Sequence, residues 1–141
     1  MADAASKPGP RARPEFRNIN VSQILQYRLP LAGIVSILHR VSGALMFLVG
    51  LPFILYLFQQ SITSEISFES YRAVVGSVLG RLVLLVLIWA YLHHFLAGIR
   101  YLLLDRHVGI DKASSRTSAH VVLGASLVLT ALAALKLFGA F

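Results

Sequence analysis

Two short stretches carry ionisable side chains inside long apolar sequence, and in each the spacing gathers them on one side of a helix. The first is SILHRVSG, with Ser36, His39, Arg40 and Gly43. At about 100° per residue these positions fall within roughly one third of a helix circumference, and Gly50 continues the face. An arginine stays charged at physiological pH and offers a planar fork to carboxylates, so this face suits anionic groups. The competing interpretation makes His39 and Arg40 interfacial side chains that snorkel to water, with the glycines a packing seam. A helix starting near Leu31 carries both residues roughly 12 to 14 Å inward, which is deep for that role.

The second stretch is HHFLAGIRYLLLD, residues 93–105. Tyr91, His94, Gly98, Tyr101 and Asp105 recur at helical spacing and form one stripe, whereas His93 is turned about 100° away. Glycine one turn from a buried histidine leaves room for a flat macrocycle against the helix, so His94 is the candidate axial ligand of a haem iron. Alternatively, His94 is a core histidine bonded to a serine or carbonyl of another helix. His94 lies about 16 Å along the helix from Asp105, near mid-membrane, and Arg40 reaches a comparable depth. Haem propionates meeting Arg40 and His39 complete that picture. His93 points elsewhere, His39 is needed lower down, and His107 and His120 are expected at the interface. A second axial ligand must therefore come from another polypeptide. Met46 is read as packing.

These residues need long helices to hold them. Of 141 residues, 57% are hydrophobic and 13% charged, and the mean hydropathy is +0.73, outside the range of soluble domains. Apolar runs over 31–58, 78–104 and 119–139 each reach the roughly 20 residues a helix needs to cross a bilayer. The expected fold is an all-α integral membrane protein of three transmembrane helices, with Pro52 kinking the first. Residues 1–30 contain Pro8, Pro10, Pro14 and Pro30 and have no apolar signal-peptide core, so they are expected to stay as a polar tail. Helices this few offer little interior, and polar residues on them must meet a partner chain, a cofactor or a second copy.

Charge gives the orientation. Lys7, Arg11, Arg13, Arg17 and Arg28 lie in the tail, and Arg106, Lys112 and Arg116 in the connection 105–118; the connection 59–77 has Arg72 alone against Glu65 and Glu69. The tail and second connection are therefore expected in the cytoplasm, with a bacterial inner membrane as the simplest location. Lys136 snorkels at the far interface. The net charge of +7 is too scattered for a nucleic-acid surface, so no nucleic-acid partner is expected. Absence of cysteine excludes disulfide, iron-sulfur and thiol chemistry in this chain. Hydrolytic triads, paired carboxylates and phosphate loops are also missing.

With these residues in view, the chain resembles the cytochrome b membrane-anchor subunits of succinate dehydrogenase, respiratory complex II, and among them the larger of the two hydrophobic subunits. Arg13-Pro14, then YRLPLAGIVSILHRVSG over 27–43, the run His94-x-x-x-Gly98-Ile99-Arg100 ending at Asp105, and the order of helices carry the likeness. The resemblance implies a bundle with a second hydrophobic anchor subunit, beneath an iron-sulfur subunit and a flavoprotein subunit. It implies haem b with His94 as one axial ligand and the other from the second anchor. It places His39 at a propionate, Arg40 at a propionate and the quinone, Ser36 and Ile37 at the ubiquinone ring, and Asp105 near the quinone or its proton supply. Tyr101 departs from relatives that carry a second histidine there. A fumarate reductase anchor shares this chemistry. A haem-free helical scaffold or transporter subunit is the alternative of a different class.

Overall fold

The computed structural model describes residues 20–139, so most of the polar tail, with Arg13 and Pro14, lies outside the described residues. A short helix, α1 (Val21–Gln26), precedes α2 (Leu31–Leu45), a π-helical turn (Met46–Gly50), α3 (Leu51–Ile62), α4 (Glu65–Gly76), α5 (Val78–Asp105) and α6 (Lys112–Leu137). The chain is all-helical, with 3 helices long and apolar enough to cross a membrane: Leu31–Ile62, Val78–Asp105 and Lys112–Leu137.

Local sequence explains the boundaries. Pro30 holds an extended backbone (φ −64°, ψ 152°), and its carbonyl accepts from the Gly33 and Ile34 amides, so the chain enters α2 at a proline that cannot extend the helix backward. Pro52 lies at the start of α3. Its missing N–H and its ring disturb the preceding turn, and the ladder there widens, the Leu51 amide donating to the Met46 carbonyl. Where a kink is expected at Pro52 the helix has one π turn, and the span is helical from Leu31 to Ile62.

The stretch between the first two spans is structured. Ser64 and Ser67 form a reciprocal capping box that starts α4. Phe68 and Tyr71 stack on it with ring centroids 5.6 Å apart. α5 ends in a Schellman turn: His107 donates to the Leu104 carbonyl (2.9 Å) and Val108 to that of Leu103 (3.0 Å), with His107 in the left-handed region at φ 59°. Asp111 then caps α6, accepting from the Ser114 amide at 2.9 Å.

Packing centres on α5, which contacts both α2 and α6 more extensively than those two contact one another. Its buried residues are Gly80, Leu87, Ala90, His93, Ala97 and Arg100, a stripe at helical spacing. The core around Val35, Ala97, Ala119 and Val122 is small. Ser42, Ser126 and Ala90 are fully buried too. Small side chains bring helix backbones close where no hydrophobic driving force separates helix from lipid. Large apolar residues such as Phe47, Leu79 and Leu102 point outward, as a lipid-facing surface requires.

Candidate functional site

The site lies where the polar face of α2 meets α5, on the stripe adjoining the buried one. His94 Nδ1 stands 2.9 Å from the backbone oxygen of His39. A carbonyl only accepts, so Nδ1 carries the proton and Nε2 keeps its lone pair. The buried Ser42 hydroxyl donates to that same carbonyl at 2.9 Å and lies 3.3 Å from Nδ1. Backbone and hydroxyl of α2 therefore set the tautomer and direction of a ring on α5. The bond to a carbonyl of another helix that the sequence allowed for His94 is present, and Nε2 has no partner among the described residues. A histidine held this way through its first nitrogen is prepared to bind a metal through its second.

Glycine makes the approach possible. A Cβ at Gly43 would sit 2.9 Å from His94 Cε1, closer than packed atoms tolerate. At Gly98, a Cβ would meet His39 Nε2 at 3.7 Å, an ordinary contact. The glycine packed tightly against the His94 ring is therefore Gly43 on α2, one turn after His39.

The His39 ring lies over Gly98 and stacks on His94, with centroids 4.0 Å apart and planes 15° from parallel. Stacked rings present their nitrogens side by side rather than opposed. In this arrangement the two histidines cannot be opposite ligands of one metal ion. Tyr101 adds its ring 5.2 Å from His39, and its buried hydroxyl has no partner among the described residues. It is a donor without an acceptor beside the paired rings.

His93 has a separate environment. It is 0% exposed, shares a 3.4 Å hydrogen bond between Nδ1 and Ser126 Oγ, and stacks on Trp89 at 5.5 Å. Its Nε2 is sealed without a partner among the described residues. The adjacent histidines thus divide as the helical spacing requires, one into the bundle and one onto the site.

The remaining predicted residues are not drawn into this cluster. Arg40 and Ile37 are exposed and Ser36 half-buried, on α2 toward its polar end. Asp105 is exposed on the last residue of α5. Among the described residues none of the side chains of Ser36, Arg40 and Asp105 hydrogen-bonds another side chain, so these groups are available to molecules outside the chain. Two residues given no site role from the sequence, Ser42 and Arg100, prove central to the geometry, and Gly43, placed on the polar face or in a packing seam, proves to be the close neighbour of His94. The signal for Ser42 and Gly43 was their place three and four residues after His39, on the same helical face.

Three helices of membrane-spanning length with a polar face between α2 and α5 define a class: a helical transmembrane subunit. The family model for the succinate dehydrogenase/fumarate reductase transmembrane subunit matches residues 14–133, and the chain belongs to that family. It is 34% identical over 112 residues to the succinate dehydrogenase cytochrome b556 subunit of Paracoccus denitrificans, covering 79% of this chain and 85% of that protein. The protein of the same name from Coxiella burnetii is 30% identical over 118 residues, covering 83% of this chain and 93% of the other.

Proposed function

We propose that this chain is the haem b-carrying membrane anchor of a succinate:ubiquinone oxidoreductase, the larger of two hydrophobic subunits. The observation that carries this is His94, its Nδ1 committed to the His39 carbonyl and its Nε2 uncommitted. The cytochrome b556 names of the relatives support haem as the group concerned. The residues present fit such a group: a ligating nitrogen of defined tautomer, a glycine, Gly43, that lets the His94 ring pack against α2, and the orphan Tyr101 hydroxyl near His39, which a carboxylate would satisfy. When bound, haem b supplies one-electron redox chemistry. Because His39 stacks beside His94, it would not complete the ligand set of that group, and a further ligand would come from the second hydrophobic subunit.

His39 and Arg40 serve the propionates, and Ser36, Ile37 and Arg40 form this chain's part of the ubiquinone site, against the iron-sulfur subunit. A quinone that gains two electrons takes up two protons, and donors aimed at its oxygens stabilise the charge that develops on them. Ser36 and Arg40, without side-chain partners among the described residues, are the donors this chain offers; the exposed Asp105 passes protons from the aqueous side. The flavoprotein subunit oxidises succinate and the iron-sulfur subunit delivers the electrons. The chain sits in the bacterial inner membrane with its N-terminus in the cytoplasm, the side carrying Arg106, Lys112 and Arg116.

The test is a dithionite-reduced minus oxidised visible spectrum of the chain purified with its co-purifying subunits, beside a subunit gel. A low-spin b-type spectrum with three partner bands is expected. Partners without haem, or haem without partners, would contradict the reading.

A further inference from the structure

Arg100 is a buried cation with no acid beside it among the described residues. It is 5% exposed. Nε donates to Ser118 Oγ at 3.0 Å, Nη2 donates to Ser115 Oγ at 3.0 Å and to the Ser115 carbonyl at 3.3 Å, and the guanidinium lies 5.4 Å from the centre of the Tyr101 ring. These neutral groups fix the fork between α5 and α6 and leave its charge uncompensated. No carboxylate among the described residues pairs with it. Nη1 has no partner there either, and it is not sealed from its surroundings. A charged group at membrane depth is costly unless paired, and such residues mark a ligand or a pathway.

The guanidinium also borders a groove of about 570 Å³ between α5 and α6, walled by Leu96, Ile99, Leu103, Val121 and Ala125. From Thr117 to Ala125 it runs about 12 Å along α6. Its polar end meets Gly109 and Ser114, beside the loop that carries Arg106 and Lys112. Asp105 and Asp111, the acids of that loop, are not part of the lining. The groove is therefore apolar along its length and cationic at one place, open to lipid between two membrane helices.

We propose that the α5/α6 groove is a binding site for one anionic phospholipid, its phosphate accepting from Arg100 Nη1 and an acyl chain lying along Leu96, Ile99, Val121 and Ala125. Arginine's fork suits a phosphate, and basic pockets between helices on the positively charged side of a membrane protein recognise anionic headgroups. Ser115 and Ser118 engage Nε and Nη2 of a residue that lines the groove, which leaves Nη1 as the nitrogen for the phosphate. The site goes beyond the role proposed above, and its test does not depend on haem.

The experiment uses the chain in its native assembly, stripped of loosely held lipid in mild detergent and incubated with vesicles of equal phosphatidylglycerol and phosphatidylcholine. Lipid retained after repurification is counted by native mass spectrometry. Retention of phosphatidylglycerol at least tenfold over phosphatidylcholine is expected. Arg100→Lys, which keeps the charge and loses the fork, should reduce that preference. Thr117→Trp should abolish retention by filling the groove while sparing the Arg100 clamp, since the Thr117 hydroxyl bonds only the Ala113 carbonyl of its own helix. Equal retention of the two lipids, or unchanged phosphatidylglycerol in the assembled Thr117→Trp variant, would overturn the proposal. Crosslinking from a photoreactive residue at Val121 to a protein subunit instead of lipid would overturn it as well.

Discussion

His94 and His39 divide a task that one histidine could not perform: one ring is aimed, and the other aims it through its backbone carbonyl while covering its flank. Gly43 permits that distance, so Gly43→Ala forces the His94 ring to move and should lower haem occupancy roughly tenfold, the scale of losses seen when groups supporting a metal ligand are disturbed. The pyridine haemochrome of the purified assembly measures it, with Gly98→Ala as the comparison; equal losses in both would show that the tight contact at Gly43 is not what matters. On the quinone side, Arg40→Leu should depress quinone reduction by roughly a hundredfold, as removal of one oxyanion donor does, and Ser36→Ala should depress it in the same direction. Succinate oxidation with a soluble dye acceptor should persist in both. Much of this was legible from spacing: the stripe separated His94 from His93, and the structure keeps them apart. The carbonyl of His39 was not legible, because a backbone acceptor leaves no mark in side-chain identity. Nor was the Arg100 clamp, which depends on serines of α6 whose register against α5 is set by packing.

At the scale of elements, the hydrophobic runs located the spans because twenty or so apolar residues admit few other fates. Polar helix was harder to see. α4 lies in a sequence without strong apolar periodicity, begun by Ser64 and Ser67, and the first turns of α6 are rich in serine and charge. Caps and turns rather than burial define these segments, and two of them give measurable expectations. His107 occupies a left-handed conformation that glycine adopts freely, so His107→Gly should stabilise the assembly by about 1 kcal/mol, read as a higher Tm in detergent. The Asp111 cap is pH-dependent. Ser114, through its side chain first and then its backbone N–H, holds the Asp111 carboxyl below its ordinary value of 3.8. A carboxyl whose folded pKa is depressed contributes stability above its unfolded pKa and loses it as pH falls through the folded one. Protection of the Ser114 and Ser115 amides from hydrogen exchange should therefore decline only below about pH 4, and Asp111→Asn, which can still accept the bond but carries no charge, should flatten that decline.

The whole molecule is an incomplete bundle. Apart from His93, the fully buried side chains among the described residues are few and small, and Tyr91 and Phe95, on and beside the His94 stripe, are exposed. A groove of about 460 Å³ lined by Met46, Gly50, Ile54, Leu87 and Tyr91 runs along the same side of α5. Such an open bundle is in keeping with a family of transmembrane subunits. The account turns on one nitrogen, and the neighbouring histidines provide its control. Haem content per assembled complex should be measured for His94→Ala and His93→Ala side by side, from the reduced minus oxidised spectrum normalised to subunit content. The low-spin b-type signal should vanish in assembled His94→Ala and persist in whatever fraction of His93→Ala assembles. Full haem in the His94→Ala complex, or selective loss in His93→Ala, would contradict the account.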